Sequence, residues 1–187
     1  MAKKAIILLA TGFEEVEAVT PIDYLRRSGI EVTTAAIGDS RKVTGSHGIS
    51  VEADTTLNVL AERSDWDAAL IPGGMPGATN LAASKEVSAL LSAMARSGKI
   101  VAAICASPAV VLAPLGLLAG KRFTCYPGME KDLDPAAQWS ADRVVIDGNL
   151  ITSRGAGTAA LFAFAVIEQL LGKAAAEKIS QAVLYEG

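Results

Sequence analysis

The stretch Lys99-Ile-Val-Ala-Ala-Ile-Cys-Ala-Ser-Pro108 decides the fold. Its apolar, partly β-branched run predicts a buried strand that stops at Cys105. Ser107 is a candidate helix N-cap and Pro108 suits a first helical position, so a sharp turn and a short helix are expected next. This order of strand, turn and helix predicts a nucleophile-elbow cysteine of the kind found in other α/β enzymes.

The Cys105 thiol has two interpretations from this stretch alone. At a helix N-terminus, the positive end of the helix dipole lowers the pKa of a thiol and favours the reactive thiolate. Alternatively, Cys105 fills a small apolar gap in the core, because free cysteine is among the most buried residue types. The second cysteine, Cys125, is expected to be structural, or to be a resolving thiol if it lies near Cys105 in space.

Strands and helices alternate along the 187 residues. Apolar runs predict strands at 4–10, 30–37, 67–72, 99–104, 121–125, 143–147 and 150–153, and a hairpin or edge strand at 42–53. Helical spacing predicts helices at 14–27, 78–97, 107–113, 158–171 and 173–185, with a kink or break at Pro21 in the first. The alternation predicts an α/β, doubly wound, mostly parallel sheet covered on both faces. We expect one domain over residues 1–187.

Composition excludes several classes of function. The net charge is −3, 51% of residues are hydrophobic, and no basic block is present, so nucleic acid is not an expected partner. No uninterrupted apolar run reaches membrane-spanning length, and the lysines and apolar residues of 1–10 are better explained as a first strand than as a signal peptide. We therefore expect a cytoplasmic protein. Two cysteines and one histidine do not form a metal-ligand set, and no metal is expected.

Four loops that contain candidate site residues or glycines should meet beyond the carboxyl ends of the parallel strands. They are residues 11–17, 73–77, 105–108 and 153–157. Gly73 and Gly74 would let a backbone N–H approach a ligand, and the Ala106 N–H would complete an oxyanion hole. The alternative for the two glycines is a plain tight turn.

The charged candidates each have a structural alternative. Glu14 and Glu15 complement the dipole of the first helix, whereas Glu17, one turn in, is placed to point inward beside the sulfur. A carboxyl buried near a thiolate should be protonated, because two close negative charges disfavour each other. His47 would be the base of a Cys–His dyad or a solvated surface residue. Arg27 is expected at a solvated helix end.

Five segments together resemble one family. They are Gly12-Phe-Glu-Glu-Val-Glu17, Leu25-Arg-Arg-Ser-Gly29, Ile71-Pro-Gly-Gly74, Ala102-Ala-Ile-Cys-Ala106 and Thr152-Ser-Arg-Gly-Ala-Gly-Thr158. In this order they resemble the DJ-1/PfpI superfamily over nearly the whole chain. The resemblance is nearest to the DJ-1 branch (the PARK7, YajL and ThiJ group), because the protease-like PfpI branch usually has histidine where this chain has Ala106.

The resemblance implies a flavodoxin-like sandwich, usually a homodimer, with assigned site residues. It implies that Cys105 is the reactive, oxidation-sensitive cysteine and that a protonated Glu17 hydrogen-bonds to it. Gly74 and Ala106 would be the backbone donors of the oxyanion site.

At two positions the sequence departs from the family pattern, and there the family's site roles are not assigned directly to this chain. Arg27 and His47 fall where the family has arginines of an anion pocket, and His47 replaces one of them. Tyr126 stands where DJ-1 has a histidine near the cysteine. Tyrosine is a poor base at neutral pH, so Glu17 would have to carry the proton transfers.

The resemblance implies a cofactor-free enzyme that acts on small 2-oxoaldehydes such as methylglyoxal, or on the adducts these aldehydes form. The activity would be that of a glyoxalase III-like lyase or a deglycase-like hydrolase. The alternative is a redox-sensing oxidative-stress protein or chaperone that acts through oxidation of Cys105. A third hypothesis, an amidotransferase or protease, needs His47 as the base for Cys105.

Overall fold

The computed structural model describes residues 2–60, 63 and 65–187. The strands are β1 (Lys4–Leu9), β2 (Glu31–Ala36), β3 (Lys42–Thr44), β4 (Ser50–Glu52), β5 (Thr55–Thr56), β6 (Ala68–Ile71), β7 (Ile100–Ile104), β8 (Arg122–Phe123), β9 (Gln138–Trp139), β10 (Val144–Asp147) and β11 (Leu150–Ser153). The α-helices are α1 (Glu15–Arg27), α2 (Gly77–Ala83), α3 (Lys85–Arg96), α4 (Ala159–Leu171) and α5 (Lys173–Ala182). Leu57–Leu60 and Ala156–Thr158 form 3₁₀ turns, and Pro108–Leu112 forms a π-helical turn.

Seven strands form the central sheet in the order β10-β11-β7-β6-β1-β2-β5. Every neighbouring pair is parallel except β10 with β11, which is antiparallel. The predicted doubly wound, mostly parallel sheet is therefore confirmed. The predicted 42–53 hairpin is also confirmed, since β3 and β4 pair antiparallel outside the central sheet.

The sheet is buried on both faces, as its continuous apolar strands predict. In β1, Ile7 and Leu9 pack into one core cluster with α1, α4 and α5, while Ile6 and Leu8 pack into a second cluster with α2 and α3. All four side chains are at most 1% exposed. This two-sided burial fixes the strand ends, and with them the loops that carry the candidate chemistry.

The single helix predicted at 78–97 is wrong, because the chain forms α2 and α3 with a break at Ser84. Ser84 has extended backbone angles, φ −79° and ψ 123°, and its side chain accepts a hydrogen bond from the Val87 N–H at 3.2 Å. A serine hydroxyl offers the backbone an alternative to the helical hydrogen bond, which explains the interruption.

The expected break at Pro21 is absent, since α1 is continuous from Glu15 to Arg27. Pro21 is buried on the face that packs against the core, and this packing offsets the hydrogen bond that proline removes. The strand predicted at 121–125 is shorter than expected. Only Arg122–Phe123 is extended, and it pairs with β9 in a small separate sheet that the sequence pattern did not predict.

Among the described residues, no helix combines the length and the hydropathy that crossing a bilayer requires.

We expect Ser84→Ala to lower the free energy of unfolding by about 1 kcal/mol, because α3 loses its N-cap hydrogen bond. Denaturant unfolding followed by circular dichroism measures the change. Ser92→Ala inside α3 is the control and should be neutral or slightly stabilising, because alanine is the better residue in a helix interior. Equal effects of the two substitutions would contradict the capping role of Ser84.

Candidate active site

The predicted meeting of four loops at the carboxyl end of the sheet is confirmed by backbone hydrogen bonds. The Glu14 N–H donates to Gly73 O at 2.9 Å, which joins the loops after β1 and β6. The Cys105 N–H donates to Ser153 O at 2.9 Å, which joins the loops after β7 and β11. The two pairs of loops meet at Gly73, because a Cβ placed there would lie 2.7 Å from both Cys105 Cβ and Glu17 Oε2.

Cys105 occupies a strained backbone position at the end of β7. Its φ is +64°, in the left-handed region that a residue with a side chain rarely adopts. The Ser153 carbonyl holds the Cys105 N–H, and the Tyr126 N–H donates to Cys105 O at 2.8 Å. The backbone on both sides of the strained residue is thus fixed, and the half-buried thiol sits on the turn as the elbow pattern predicts.

The predicted N-cap role of Ser107 is wrong. Its backbone is helical, and its hydroxyl donates instead to Pro72 O at 2.6 Å in a fully buried hydrogen bond. The bond ties the Cys105 turn to the loop that follows β6. The segment after Ser107 is a π-helical turn of five residues rather than a regular helix.

Glu17 lies beside Cys105 and is only 1% exposed. Its Oε2 accepts a hydrogen bond from the Gly73 N–H at 2.8 Å. Its Oε1 is buried and has no hydrogen-bond partner in the described part of the chain. The first turn of α1 thus places Glu17 in the candidate site with Oε2 hydrogen-bonded and Oε1 without a partner among the described residues.

Burial raises the pKa of both groups, and Glu17 raises that of Cys105 further, whereas the neighbouring thiol lowers that of Glu17. Burial raises the pKa of Glu17 from 4.5 to about 7, in spite of the Gly73 hydrogen bond. Burial, and then the negative charge of Glu17, raise the pKa of Cys105 from 9.0 to about 12. The expectation that the helix dipole lowers the pKa of Cys105 is therefore wrong, because burial and Glu17 outweigh a single short helical turn.

Both pKa values together describe a pair that shares a proton. Between about pH 7 and 12 the pair holds one proton, which lies mainly on the sulfur because Cys105 has the higher pKa, and transfer of that proton to Glu17 gives the thiolate. The charge that opposes thiolate formation disappears when Glu17 takes that proton. A thiolate at Cys105 is therefore compatible with this environment only in the form in which Glu17 is protonated.

Backbone donors face the sulfur. The N–H groups of Ala106 and Gly74 lower the pKa of Cys105, in opposition to burial. Gly74 needs its positive φ of 87°, and a Cβ there would collide with the backbone of Glu14. Gly73 is equally restricted, since a Cβ at that position would lie 2.7 Å from both Cys105 Cβ and Glu17 Oε2. The N–H groups of Ala106 and Gly74 can therefore stabilise negative charge near the sulfur.

Tyr126 and Gly155 border the Cys105–Glu17 pair. The Tyr126 side chain is 53% exposed, while its backbone N–H is bound to Cys105 O. A Cβ placed on Gly155 would lie 3.8 Å from the Tyr126 ring and 3.9 Å from Glu17 Oε1. Cys125 is fully buried in the core cluster opposite the one that Cys105 contacts, which favours the structural interpretation of Cys125.

His47 contacts the start of α1 rather than the sulfur. Its Nδ1 lies 2.9 Å from Glu15 Oε2, and its backbone N–H donates to Glu15 Oε1 at 2.8 Å. Burial alone would raise the pKa of Glu15, but the hydrogen bonds, chiefly from the side chain and backbone of His47, lower it to about 2. Glu15 therefore anchors the turn between β3 and β4, a role that the sequence did not reveal. Glu14 caps α1 through the Glu17 N–H at 2.7 Å.

Arg27 lies at the other end of α1 from Glu17. Ten residues of helix separate the two, which is about 15 Å along the axis. The exposed Arg27 guanidinium pairs with Asp23, with 2.6 Å between Nε and Oδ2. Within one chain the structure does not bring Arg27 to Cys105, and a role for Arg27 and His47 in an anion pocket stays a prediction.

A cavity of about 420 Å³ lies away from the elbow, between α3 and the 57–60 turn. Its walls are mostly apolar and include Trp66, Leu90 and Met94. Residues of the Cys105 elbow do not line it. This cavity is therefore separate from the candidate site at Cys105.

The fold and the site define a class: a parallel α/β protein with a cysteine on a strained strand-to-helix turn beside a buried carboxyl. Comparison with known proteins identifies the class, because the model of the DJ-1/PfpI family matches residues 3–169. The chain belongs to the DJ-1/PfpI family.

Relatives agree with this assignment along the whole chain. The structure of Toxoplasma gondii DJ-1, oxidized, is 40% identical, covers 100% of both chains and superposes with a TM-score of 0.95. Protein DJ-1 homolog B of Arabidopsis thaliana is 41% identical over 95% of this chain, but this chain spans only 40% of that protein. Deglycase PH1704 of Pyrococcus horikoshii is 35% identical over 152 residues, which cover 81% of this chain and 89% of the relative.

We expect Glu17→Gln to stabilise the protein at pH 8 but not at pH 4, when both forms carry Cys105→Ala to remove the thiol. A carboxyl whose pKa is raised by folding favours the folded state while protonated, and this contribution is lost as pH rises from about 4.5 through about 7. At pH 8 the free energy of unfolding of the Glu17→Gln form should exceed that of the Glu17 form by on the order of 3 kcal/mol. Denaturant unfolding at several pH values measures it, and a difference that does not change with pH would contradict the buried, protonated carboxyl.

Proposed function

We propose that this protein is a cofactor-independent enzyme of the glyoxalase or deglycase type, which converts 2-oxoaldehydes such as methylglyoxal, or their adducts, to 2-hydroxy acids. The observation that carries the proposal is the buried Glu17 carboxyl beside the Cys105 thiol, with the Gly74 and Ala106 N–H groups directed at the sulfur. Family membership and similarity to a protein named as a deglycase support it.

The first step is attack by sulfur on the aldehyde carbon. In the reactive form the shared proton lies on Glu17, and the Cys105 thiolate forms the new C–S bond. The electron pair of the carbonyl moves to oxygen, next to the N–H groups of Gly74 and Ala106. Glu17 then donates its proton to that oxygen and gives a hemithioacetal.

The second step moves a proton between adjacent carbons. The Glu17 carboxylate removes the hydrogen of the former aldehyde carbon as a proton, and an enediolate forms with its negative charge on the ketone oxygen. Glu17 returns that proton to the neighbouring carbon, and the hydroxyl proton of the hemithioacetal moves to the ketone oxygen, which gives a thioester of the 2-hydroxy acid. Water then cleaves the thioester, which releases lactate from methylglyoxal and regenerates the thiol. One carbon is oxidised while its neighbour is reduced, so the conversion requires no external oxidant.

Tyr126 has a supporting role in this proposal. Its ring borders the site and its side chain is half exposed, so the hydroxyl is available to hydrogen-bond a substrate oxygen. His47 is bound to Glu15, which leaves Glu17 as the group that moves protons at Cys105. The same contact argues against the amidotransferase or protease hypothesis, because that chemistry needs an imidazole at the sulfur.

Homodimer formation is part of the proposal. Val16 and Val19 on α1 are 49% and 47% exposed, and Ile49 before β4 is 58% exposed. Apolar side chains on a contiguous surface are typical of contacts between subunits. A self-association surface at the start of α1 would lie next to the candidate site.

A redox role for Cys105 is the second candidate function. The half-buried sulfur faces two backbone donors and a carboxyl that would hydrogen-bond a sulfinate, and a relative has been solved in an oxidized form. The oxidant would be a peroxide, which transfers one oxygen at a time to the thiolate and leaves as water or alcohol. Protection of other proteins would then have to depend on that oxidation.

We expect Cys105→Ala to lower lactate formation from methylglyoxal by about a thousandfold or more, because the nucleophile is removed. Enzymatic detection of lactate measures the rate. Cys125→Ala is the matched control and should retain turnover, since Cys125 is buried away from the site. Turnover that survives in Cys105→Ala would remove the nucleophile assignment.

Lactate released from a purified adduct while free aldehyde is trapped would favour the deglycase form of the activity.

For the redox candidate, mild peroxide should add two oxygen atoms to Cys105 and none to Cys125. Mass spectrometry of digested protein measures the addition, with Glu17→Gln tested beside the wild type. We expect the variant to reach a smaller fraction of sulfinate, because the protonated carboxyl no longer supports that product. A thiol at Cys105 that stays unchanged under peroxide would exclude this second candidate.

A further inference from the structure

Gly155 lies at the edge of the candidate site, directly after β11 and Arg154. Its N–H donates to Thr158 Oγ1 at 3.1 Å, and its carbonyl accepts from the Thr158 N–H at 2.8 Å. The backbone at this position is therefore fixed by both of its polar groups. Anything attached to its Cα would point in a defined direction.

Backbone geometry does not require glycine at position 155. Its φ is 166°, which is extended backbone that any residue adopts. The two nearest atoms to an added Cβ lie at 3.8 and 3.9 Å, which is ordinary van der Waals contact. Gly12 and Gly74 differ, because each has a positive φ and an added Cβ would collide with neighbouring atoms. Gly155 thus leaves a space that a methyl group would occupy without strain.

That space adjoins Glu17 Oε1, a buried carboxyl oxygen of the candidate site that has no hydrogen-bond partner among the described residues. The added Cβ at Gly155 would touch Glu17 Oε1 and the Tyr126 ring. Glu17 Oε2 is held by the Gly73 N–H, whereas Oε1 has no partner among the described residues. Oε1 is therefore the oxygen available to move a proton on a substrate.

The proposed reaction defines what must lie beside that oxygen. Glu17 passes a proton from the carbon bonded to sulfur to the neighbouring ketone carbon. The ketone carbon must therefore approach Oε1, and its substituent must fit in the adjoining space. The substituent is hydrogen in glyoxal, methyl in methylglyoxal and phenyl in phenylglyoxal.

We infer that Gly155 determines substrate size, because its lack of a side chain leaves room for the substituent on the ketone carbon between Glu17 Oε1 and Tyr126. The inference rests on the proposed function and adds to it a substrate class. The class consists of 2-oxoaldehydes with a substituent larger than hydrogen.

The test compares Gly155→Ala with Gly157→Ala. Gly157 lies two residues further along the same loop and would have no atom within 4 Å of an added Cβ, so it is a matched control. Glycolate, lactate and mandelate formation from glyoxal, methylglyoxal and phenylglyoxal give three values of kcat/KM for each protein. Thermal unfolding of each variant shows whether the added methyl group disturbs the fold.

We expect Gly155→Ala to lower the phenylglyoxal-to-glyoxal ratio of kcat/KM by roughly tenfold or more, with methylglyoxal in between. The unfolding temperature should match that of the wild type, and Gly157→Ala should keep the wild-type ratio. An unchanged ratio in Gly155→Ala would overturn the inference while leaving the proposed function intact. A variant that fails to fold would contradict the claim that a methyl group fits. A wild-type protein that converts none of the three aldehydes would remove the proposed function and this inference with it.

Discussion

The burial of one carboxyl beside one thiol is the constraint on which the chemistry depends. Glu17 is 1% exposed, and Cys105 lies on the turn next to it. Burial makes a charge costly on either group, and two charges together cost more than one. The pair therefore keeps a proton over the neutral range, and the position of that proton decides whether the sulfur is a nucleophile. The proposed reaction is therefore compatible with a cysteine whose pKa is raised by burial, because it uses the form with the proton on Glu17.

The scaffold holds this pair together through contacts between strand ends. The positive φ of Cys105 is a strained conformation with a cost of about 1–3 kcal/mol. The Ser153 carbonyl accepts a hydrogen bond from the Cys105 N–H, and the Tyr126 N–H donates to the Cys105 carbonyl. Two residues after Cys105, the Ser107 hydroxyl donates to the Pro72 carbonyl. Strain at the turn thus persists because neighbouring loops fix it, and the same loops present Gly73 to Glu17 and Gly74 to the sulfur.

The sequence was sufficient to predict the sheet and the convergence of loops because both follow from local patterns. Continuous apolar runs at β1 and β7 require burial on both faces, and parallel strands bring their carboxyl ends to one edge. The Ser84 break was missed because serine in an alanine-rich run is compatible with helix, and only the hydrogen bond to Val87 N–H reveals the cap. The pKa direction at Cys105 was missed because burial and Glu17 act through space, and neither is visible in residues 99–108. For the same reason the sequence predicts only a helix-dipole role for Glu15, since its partner His47 is 32 residues away in sequence.

A pH titration of the Glu17 carboxyl carbon and the Cys105 β-carbon, followed by carbon-13 NMR, tests the shared proton most directly. Glu17→Gln and Cys105→Ala assign the two resonances. We predict that both resonances respond to one proton lost near pH 7, and that Glu17 shows no separate step near 4.5. A carboxyl that titrates alone near 4.5, with the thiol titrating independently near 9, would contradict the account.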